Sequence, residues 1–350
     1  MKEWADQLMA TYSLFGGLPP EVVYGMAMLF WGVVLLGWLA FLGLSLVWME
    51  RKISGRIQSR VGPAHVGGRF GWAQTIADTL KLLTKEDTIP KDADRLLFNL
   101  APILVMTATF MTFAAIPFGS ELIAADLNIG LFYILAVSSL VVVGIIMGGW
   151  ASNNKWSLYG AMRAAAQIVS YEIPVALSLI GVVMYVGSLN LAEISAFQEG
   201  GIWKWNIVRN PLLFASGIVF FVASLAEINR IPFDLPEAES ELVSGYNTEY
   251  SGMKFALFFL AEFANMFVAA AVMTAAFLGG GSGILPREIL PIPGVINFLL
   301  KVFAMILVMM WLRWTLPRLR VDQLMYVCWK VLIPASFVLL LAVGAVILLQ

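Results

Sequence analysis

Eight long apolar runs narrow the folds open to this chain more than any other feature. Six hold no charge at all: residues 22–49, 96–120, 127–154, 173–192, 210–226 and 331–350. Two more hold one charge each, Glu262 within 255–278 and Lys301 within 295–312. About 20 apolar residues cross a bilayer as a helix. Lipid offers no partner to a backbone N–H or C=O, so a span must satisfy its own backbone. Strand spans would be about half as long and would alternate in polarity. The sequence therefore predicts an all-α integral membrane protein of about eight transmembrane helices. A mean hydropathy of +0.84 with only 13% charged residues excludes an ordinary soluble domain. The chain reads as one integral domain over 1–350. Its expected spans are about 22–49, 96–118, 129–150, 172–187, 211–227, 255–279, 295–314 and 326–349, with cytoplasmic loops 50–95, 151–171, 228–254 and 315–325. The first run follows an acidic segment and is too long for the core of a cleavable signal, so it is expected to be retained.

Charge in the connections sets the orientation. Nine basic residues from Arg51 to Arg95 lie between the first two runs, and seven more fall in the other loops on that side. The opposite side holds Lys2, Lys204, Arg209 and Arg287. Sixteen against four is a positive-inside signal. Both termini are expected on the side away from the cytoplasm.

Three loop features stand out. Within 50–95, "RFGWAQTIADTLKLL" repeats apolar residues at helical spacing with Gln74, Asp78 and Lys81 on the other face. That predicts an amphipathic helix lying in the membrane interface. The connection 151–172 is the second. The third is "AEINRIPFDLPEAESELVSGYNTEY", residues 226–250, which gathers six carboxylates into one stretch. Asp234 as N-cap, Pro236 in the first turn and Glu237 three residues after the cap predict a short helix there, with Ser244 and Gly245 as its stop. Capping accounts for Asp234 and Glu237. It leaves Glu239, Glu241 and Glu249, which need facing cations or shared protons.

One Cys (Cys328) and one His (His65) supply no disulfide, no bis-histidine haem site and no structural zinc set. Metal ligands are therefore not expected, and redox centres must belong to other chains. Chemistry is sought instead in membrane carboxylates. Glu172 and Glu227 fall at the edges of runs and Glu262 lies within one. A carboxylate at that depth is costly unless paired or protonated, which makes each a functional candidate. Three on three helices can form a line that takes up and passes protons. The plainer reading is a protonated Glu bonded to a neighbouring helix. Arg56 and Arg60, four apart in "MERKISGRIQSRVGP", are expected on one helical face, framing a slot at headgroup level. Their plainer role is contact with anionic lipid. Lys301 and Lys330 are expected to snorkel.

Three stretches resemble one family: "ERKISGRIQSRVGP" with "ADTLKLLTKED", "SNNKWSLYGAMRAAAQIVSYEIP", and "RIPFDLPEAESELVSGYNTEYSGMKFALFFLAE". The chain is similar across its length to the H subunits of proton-pumping NADH-quinone oxidoreductase, respiratory complex I. The resemblance implies a component of the bacterial cytoplasmic membrane that forms the quinone chamber where the hydrophilic arm docks. It implies quinone as substrate, with FMN and iron-sulfur clusters in partner subunits. Those partners are the peripheral-arm quinone-site and iron-sulfur subunits and the antiporter-like membrane subunits; membrane lipid surrounds the chain and nucleic acid has no part. By motif, Glu172, Glu227 and Glu262 match the family's proton path. Asp234, Glu237, Glu239 and Glu241 match its acidic coupling loop. Arg51, Arg60 and Asp78 match its quinone chamber, and Arg230 is counted with them. Family members commonly carry Asn and Arg after "RVGP", where Ala64 and His65 stand here. Three other readings stay open: a related component of a ferredoxin-linked complex or membrane-bound hydrogenase, a stand-alone secondary transporter, and a structural anchor.

Overall fold

The computed structural model describes residues 19–119, 122–235, 242–284 and 292–349. Its regular structure there is helical. We number the helices α1 (Pro20–Ile57), α2 (Gln74–Thr84), α3 (Arg95–Thr112), α4 (Gly130–Ser138), α5 (Leu140–Ala151), α6 (Lys155–Val186), α7 (Leu191–Phe197), α8 (Asn206–Arg209), α9 (Pro211–Glu227), α10 (Gly252–Phe277), α11 (Gly294–Thr315), α12 (Val321–Tyr326) and α13 (Ile333–Leu349). Seven helical segments among the described residues are long and apolar enough to cross a bilayer, which makes this a multi-pass membrane protein. The segment α9, at 17 residues, sits at the short end of what can span.

Two connections are more helical than the sequence reading expects. The helix α1 runs eight residues past Met49, carrying Arg51, Lys52 and Arg56 with it. It stops in a six-to-one turn: Ser59 has φ 54° and the Arg60 amide donates to the Gly55 carbonyl at 2.8 Å. Arg60 therefore lies beyond the helix, and Arg56 and Arg60 do not share a helical face. Likewise α6 begins at Lys155, capped by the Asn154 side chain on the Trp156 amide at 2.9 Å. Most of 151–171 is thus helix, and Glu172 lies well inside α6 rather than at its start.

Prolines inside spans leave carbonyls without donors, because proline has no N–H to offer the residue four before it. In lipid those carbonyls need another partner. Pro102 in α3 strands the Phe98 carbonyl, which the Tyr250 hydroxyl meets at 3.2 Å. Pro174 in α6 strands the Ser170 carbonyl, which the Cys328 thiol meets at 3.1 Å. The lone cysteine is thus a buried donor. Between α12 and α13 the chain makes one wide, π-helical turn, Val327–Leu332, just before Pro334. A proline or an inserted residue is the usual cause of such a break.

The helix α10 forms the centre, packed against α1, α3, α9 and α11. Its last two turns are fully buried, from Ala270 to Phe277. Against this core, α6 packs on α5, α9 and α13. Backbone crosses backbone closely at Gly160 of α6, where a Cβ would stand 2.6 Å from the Gly245 Cα. Gly245 starts a 3-10 turn to Asn247 at φ 58°, in line with the expected stop. The helix expected between Asp234 and that stop lies outside the described residues.

The amphipathic helix is present as α2. Its apolar Ile76, Leu80 and Leu83 are exposed, while Asp78 is drawn toward α1 by Arg51 and bonded by Gln74. Lys81 of the same polar face is exposed, so the helix turns only Gln74 and Asp78 toward α1.

Candidate functional site

Charged side chains from four separate segments meet around the first half of α10. Arg230 follows α9 in a tight turn and is 3% exposed. Its guanidinium reaches Glu50 of α1 at 3.2 Å and Glu262 of α10 at 3.1 Å. It also lies over the Phe263 ring, 4.4 Å from the centroid. Arg313 of α11 pairs with the other Glu50 oxygen. One step along the same surface, Arg318 pairs with Asp234 at 3.1 Å. Arg313, Glu50 and Asp234 all lie close enough to act on the Glu262 carboxyl electrostatically. The cluster sets two arginines against two glutamates, so its formal charges balance. Buried charge persists only when so paired.

Glu227, the last residue of α9, faces a different space. It lines a small, mostly apolar cavity of about 60 Å³ between α4, α6, α9 and α10. Ser138 lines the same cavity, and Glu172 of α6 is near enough for the two carboxyl groups to interact. One Glu172 oxygen is buried with no hydrogen-bond partner among the described residues. Ser138 sits where the third span breaks: the Ser138 and Ser139 hydroxyls turn back on Leu135 and Ala136 at 3.0 and 2.8 Å. Such back-bonding loosens the helix locally.

The third group is at the C-terminal end of α1. Arg51 pairs with Asp78 of α2, which also accepts from Gln74 at 3.1 Å. The Trp48 indole donates to the Phe70 carbonyl at 3.1 Å and helps hold α2 in place. Arg60 lines an open cleft with Lys52, Arg56, Trp48 and Phe70. The structure therefore brings Arg51 and Asp78 together, puts Arg60 in a separate cleft with Lys52 and Arg56, and sets Arg230 apart in the buried cluster.

Glu237, Glu239 and Glu241 lie outside the described residues. Glu249 is described, and its excess charge has a partner: the Asn154 amide donates to it at 2.5 Å beside the start of α6. Lys301 does not snorkel. Its ammonium donates to the carbonyls of Leu278, Gly280 and Ser282 at 2.6, 3.0 and 2.6 Å, and lies 4.2 Å from the Trp205 ring centre. Lys330 is exposed, 4.9 Å from the ring of Tyr326.

Sequence reasoning passed over Glu50, Arg313, Ser138 and Asn265. Glu50 carried a usable signal, since it closes a 28-residue uncharged run and precedes a basic segment. A carboxylate at such a border invites a partner. Asn265 carried none beyond being three residues from Glu262.

Comparison with known proteins follows the same lines. The family model described as NADH dehydrogenase matches residues 30–344. The chain is 52% identical over 303 residues to the H subunit of NADH-quinone oxidoreductase from Chlorobaculum parvum, covering 83% of this chain and 84% of that one. Against its counterpart in Bacillus cytotoxicus it is 52% identical over 310 residues, 88% and 91% of the two chains. Against that of Geobacillus thermodenitrificans it is 53% identical over 290 residues, 83% and 85%.

Proposed function

The chain belongs to the NADH dehydrogenase family, and from that premise we propose that it is the quinone-chamber membrane component, the H subunit, of a proton-translocating NADH-quinone oxidoreductase. It works inside a multi-subunit complex of the bacterial cytoplasmic membrane, with both termini on the far side from the cytoplasm. The complex is the enzyme. Electrons reach quinone from FMN and iron-sulfur clusters in partner subunits, and this chain forms the chamber wall and carries the coupling.

The observation that carries the coupling is the buried cluster of Glu50, Arg230, Glu262 and Arg313, which ties α1, the turn after α9, α10 and α11 together. Arg51, Asp78 and Arg60 stand at one end of α1, on the path a quinone takes from the lipid. Asp234 opens the acidic loop beside the cluster and is held by Arg318. Reduction of the quinone withdraws protons from its surroundings. Asp234, Glu237, Glu239 and Glu241 then exchange protons as a coupled set. The balance at Glu262 shifts with them, because a buried ion network of equal charges cannot absorb one more proton without rearranging. Charge passes on through Glu227, Glu262 and Glu172 toward the antiporter-like partners.

The test uses the whole complex in proteoliposomes. Glu262→Gln is expected to lower NADH:quinone turnover and proton translocation about tenfold or more, with the complex still assembled. Glu239→Gln with Glu241→Gln is expected to act in the same direction. Unchanged turnover and unchanged proton stoichiometry in both would overturn the coupling role. Co-purification of a flavin-containing, NADH-oxidising module tests the choice of electron donor.

A further inference from the structure

The helix α2 rests on α1 and α10 with little packing of its own. Of its residues only Thr75 is buried, and its apolar Ile76, Leu80 and Leu83 are exposed. Its place therefore depends on polar ties at its two ends. One end is held by the Arg51–Asp78 pair and by the Trp48 indole on the Phe70 carbonyl. The other is held by the first residues of α10, which clasp the loop that follows α2.

That loop passes directly over the start of α10. A Cβ at Gly252 would stand 3.3, 3.5 and 3.7 Å from the carbonyl oxygens of Lys85, Leu82 and Glu86. Gly252 also has φ 56°, a conformation glycine takes without strain. Carbonyls from the end of one helix thus lie against the positive start of another. Ser251 is the N-cap of α10, where a serine ordinarily accepts from an amide of its own first turn. It makes no such bond here. Its hydroxyl donates to the Glu86 carbonyl at 3.2 Å and accepts from the Thr88 amide at 3.1 Å, with the Thr88 hydroxyl also 3.1 Å away. A hydroxyl has one proton and two lone pairs, so all of it is spent on the loop. Lys254, in the first turn of α10, pairs with Asp87 at 2.7 Å and lies 5.2 Å from the Phe98 ring centre of α3. Two side chains at the start of α10 thus serve the loop rather than their own helix.

We infer that Ser251 and Lys254 are positioning residues for the quinone: their clasp on Glu86, Asp87 and Thr88 fixes α2 against α10 and so sets the wall along which the isoprenoid tail lies. The inference rests on the chamber reading above, in which Arg51 and Asp78 stand on the path from the lipid. With the clasp closed, α2 is a strap tied at both ends. With it open, α2 is tied at the Asp78 end alone. A segment with so few buried apolar contacts opens locally at low cost. The tail then loses a wall while the chemistry at the headgroup is untouched. Losing binding that is equal in ground and transition states raises KM and leaves kcat unchanged.

The test uses the assembled complex in proteoliposomes, with the membrane's own long-tailed quinone and a one-isoprene analogue whose tail is too short to lie against α2. Amide exchange over residues 74–90 reports the strap. Ser251→Ala and Lys254→Met are each expected to speed that exchange and to raise KM for the long-tailed quinone about fivefold, the size of one lost net hydrogen bond. The kcat, the KM of the short analogue and the NADH:ferricyanide activity stay unchanged. Lys254→Arg keeps the ion pair and restores both readouts. Tyr250→Phe is the control for a merely structural role, because Tyr250 precedes Ser251 but bonds the Phe98 carbonyl instead of the loop. It lowers stability without moving the exchange or the KM. If Ser251→Ala and Lys254→Met leave either the exchange or the long-tail KM unchanged, or if Tyr250→Phe raises that KM as much, the clasp is overturned. Asp78→Asn separates this from the chamber reading. If it raises the quinone KM while the clasp variants do not, the clasp fails and the chamber reading stands. If Asp78→Asn also changes nothing, the chamber reading itself fails.

Discussion

The two ends of α10 solve the same problem in opposite ways. Around its first half, charge is balanced by charge: Arg230 and Arg313 against Glu50 and Glu262, with Arg318 on Asp234 nearby. At its far end, side chains serve the backbone. Gln198 donates to the Ala275 carbonyl at 2.9 Å, Asn206 to Ala276 at 2.8 Å, and Lys301 to the three carbonyls beyond. Carboxylates can take up a proton and change their partners. Backbone carbonyls cannot, so the far end is a fixed plug and the near end is the part that can respond.

The comparison breaks most sharply at Arg230. Arg230→Met leaves Glu50 and Glu262 facing each other with one guanidinium fewer, and removing one partner from a buried pair costs about 3–5 kcal/mol. We expect assembly of the complex to collapse, read as lost co-purification of the partner subunits. At the other end, Lys301→Met strands carbonyls that now share an ammonium, a loss of about 1–3 kcal/mol. It should lower the thermal midpoint of the purified complex while leaving turnover per assembled complex unchanged. An equal loss of pumping there would erase the contrast between the ends. Tyr250→Phe removes the donor to the carbonyl stranded by Pro102 and should cost about 1 kcal/mol, seen as a smaller drop in midpoint. Burial already pushes the Tyr250 phenol above its usual pKa, so it stays protonated and donating across any working pH. The smallest effect is expected from Cys328→Ala, because a thiol is a weak donor. Cys328→Ser should restore or exceed the original midpoint, since a hydroxyl donates better to the Ser170 carbonyl.

The helical, membrane-crossing character was legible in the sequence, because lipid imposes length and apolarity on every helix that crosses it. The three membrane glutamates were legible for the same reason, as costly exceptions. The amphipathic helix was legible by its period, though the pairing of its Asp78 with Arg51 was not. Glu50 and its partners were not legible. Arg230 is 180 residues away and Arg313 is 263, and no local pattern records such a pairing. The same holds for Cys328, which reads as a small packed residue until Ser170 is seen 158 residues away with its carbonyl left free by Pro174.

By itself, then, the sequence determined that this chain is a bundle of membrane helices with strongly basic connections and a few carboxylates at depth. Those properties depend on the solvent each residue must meet, and composition and spacing state them directly. Only the tertiary structure decided which charges neutralise one another, which side chains rescue the carbonyls that prolines leave behind, and that Asn265 opens onto the cavity beside Glu227. Those depend on distances between helices far apart in the chain, and a pairing worth several kcal/mol is set by ångströms that no single stretch of sequence contains.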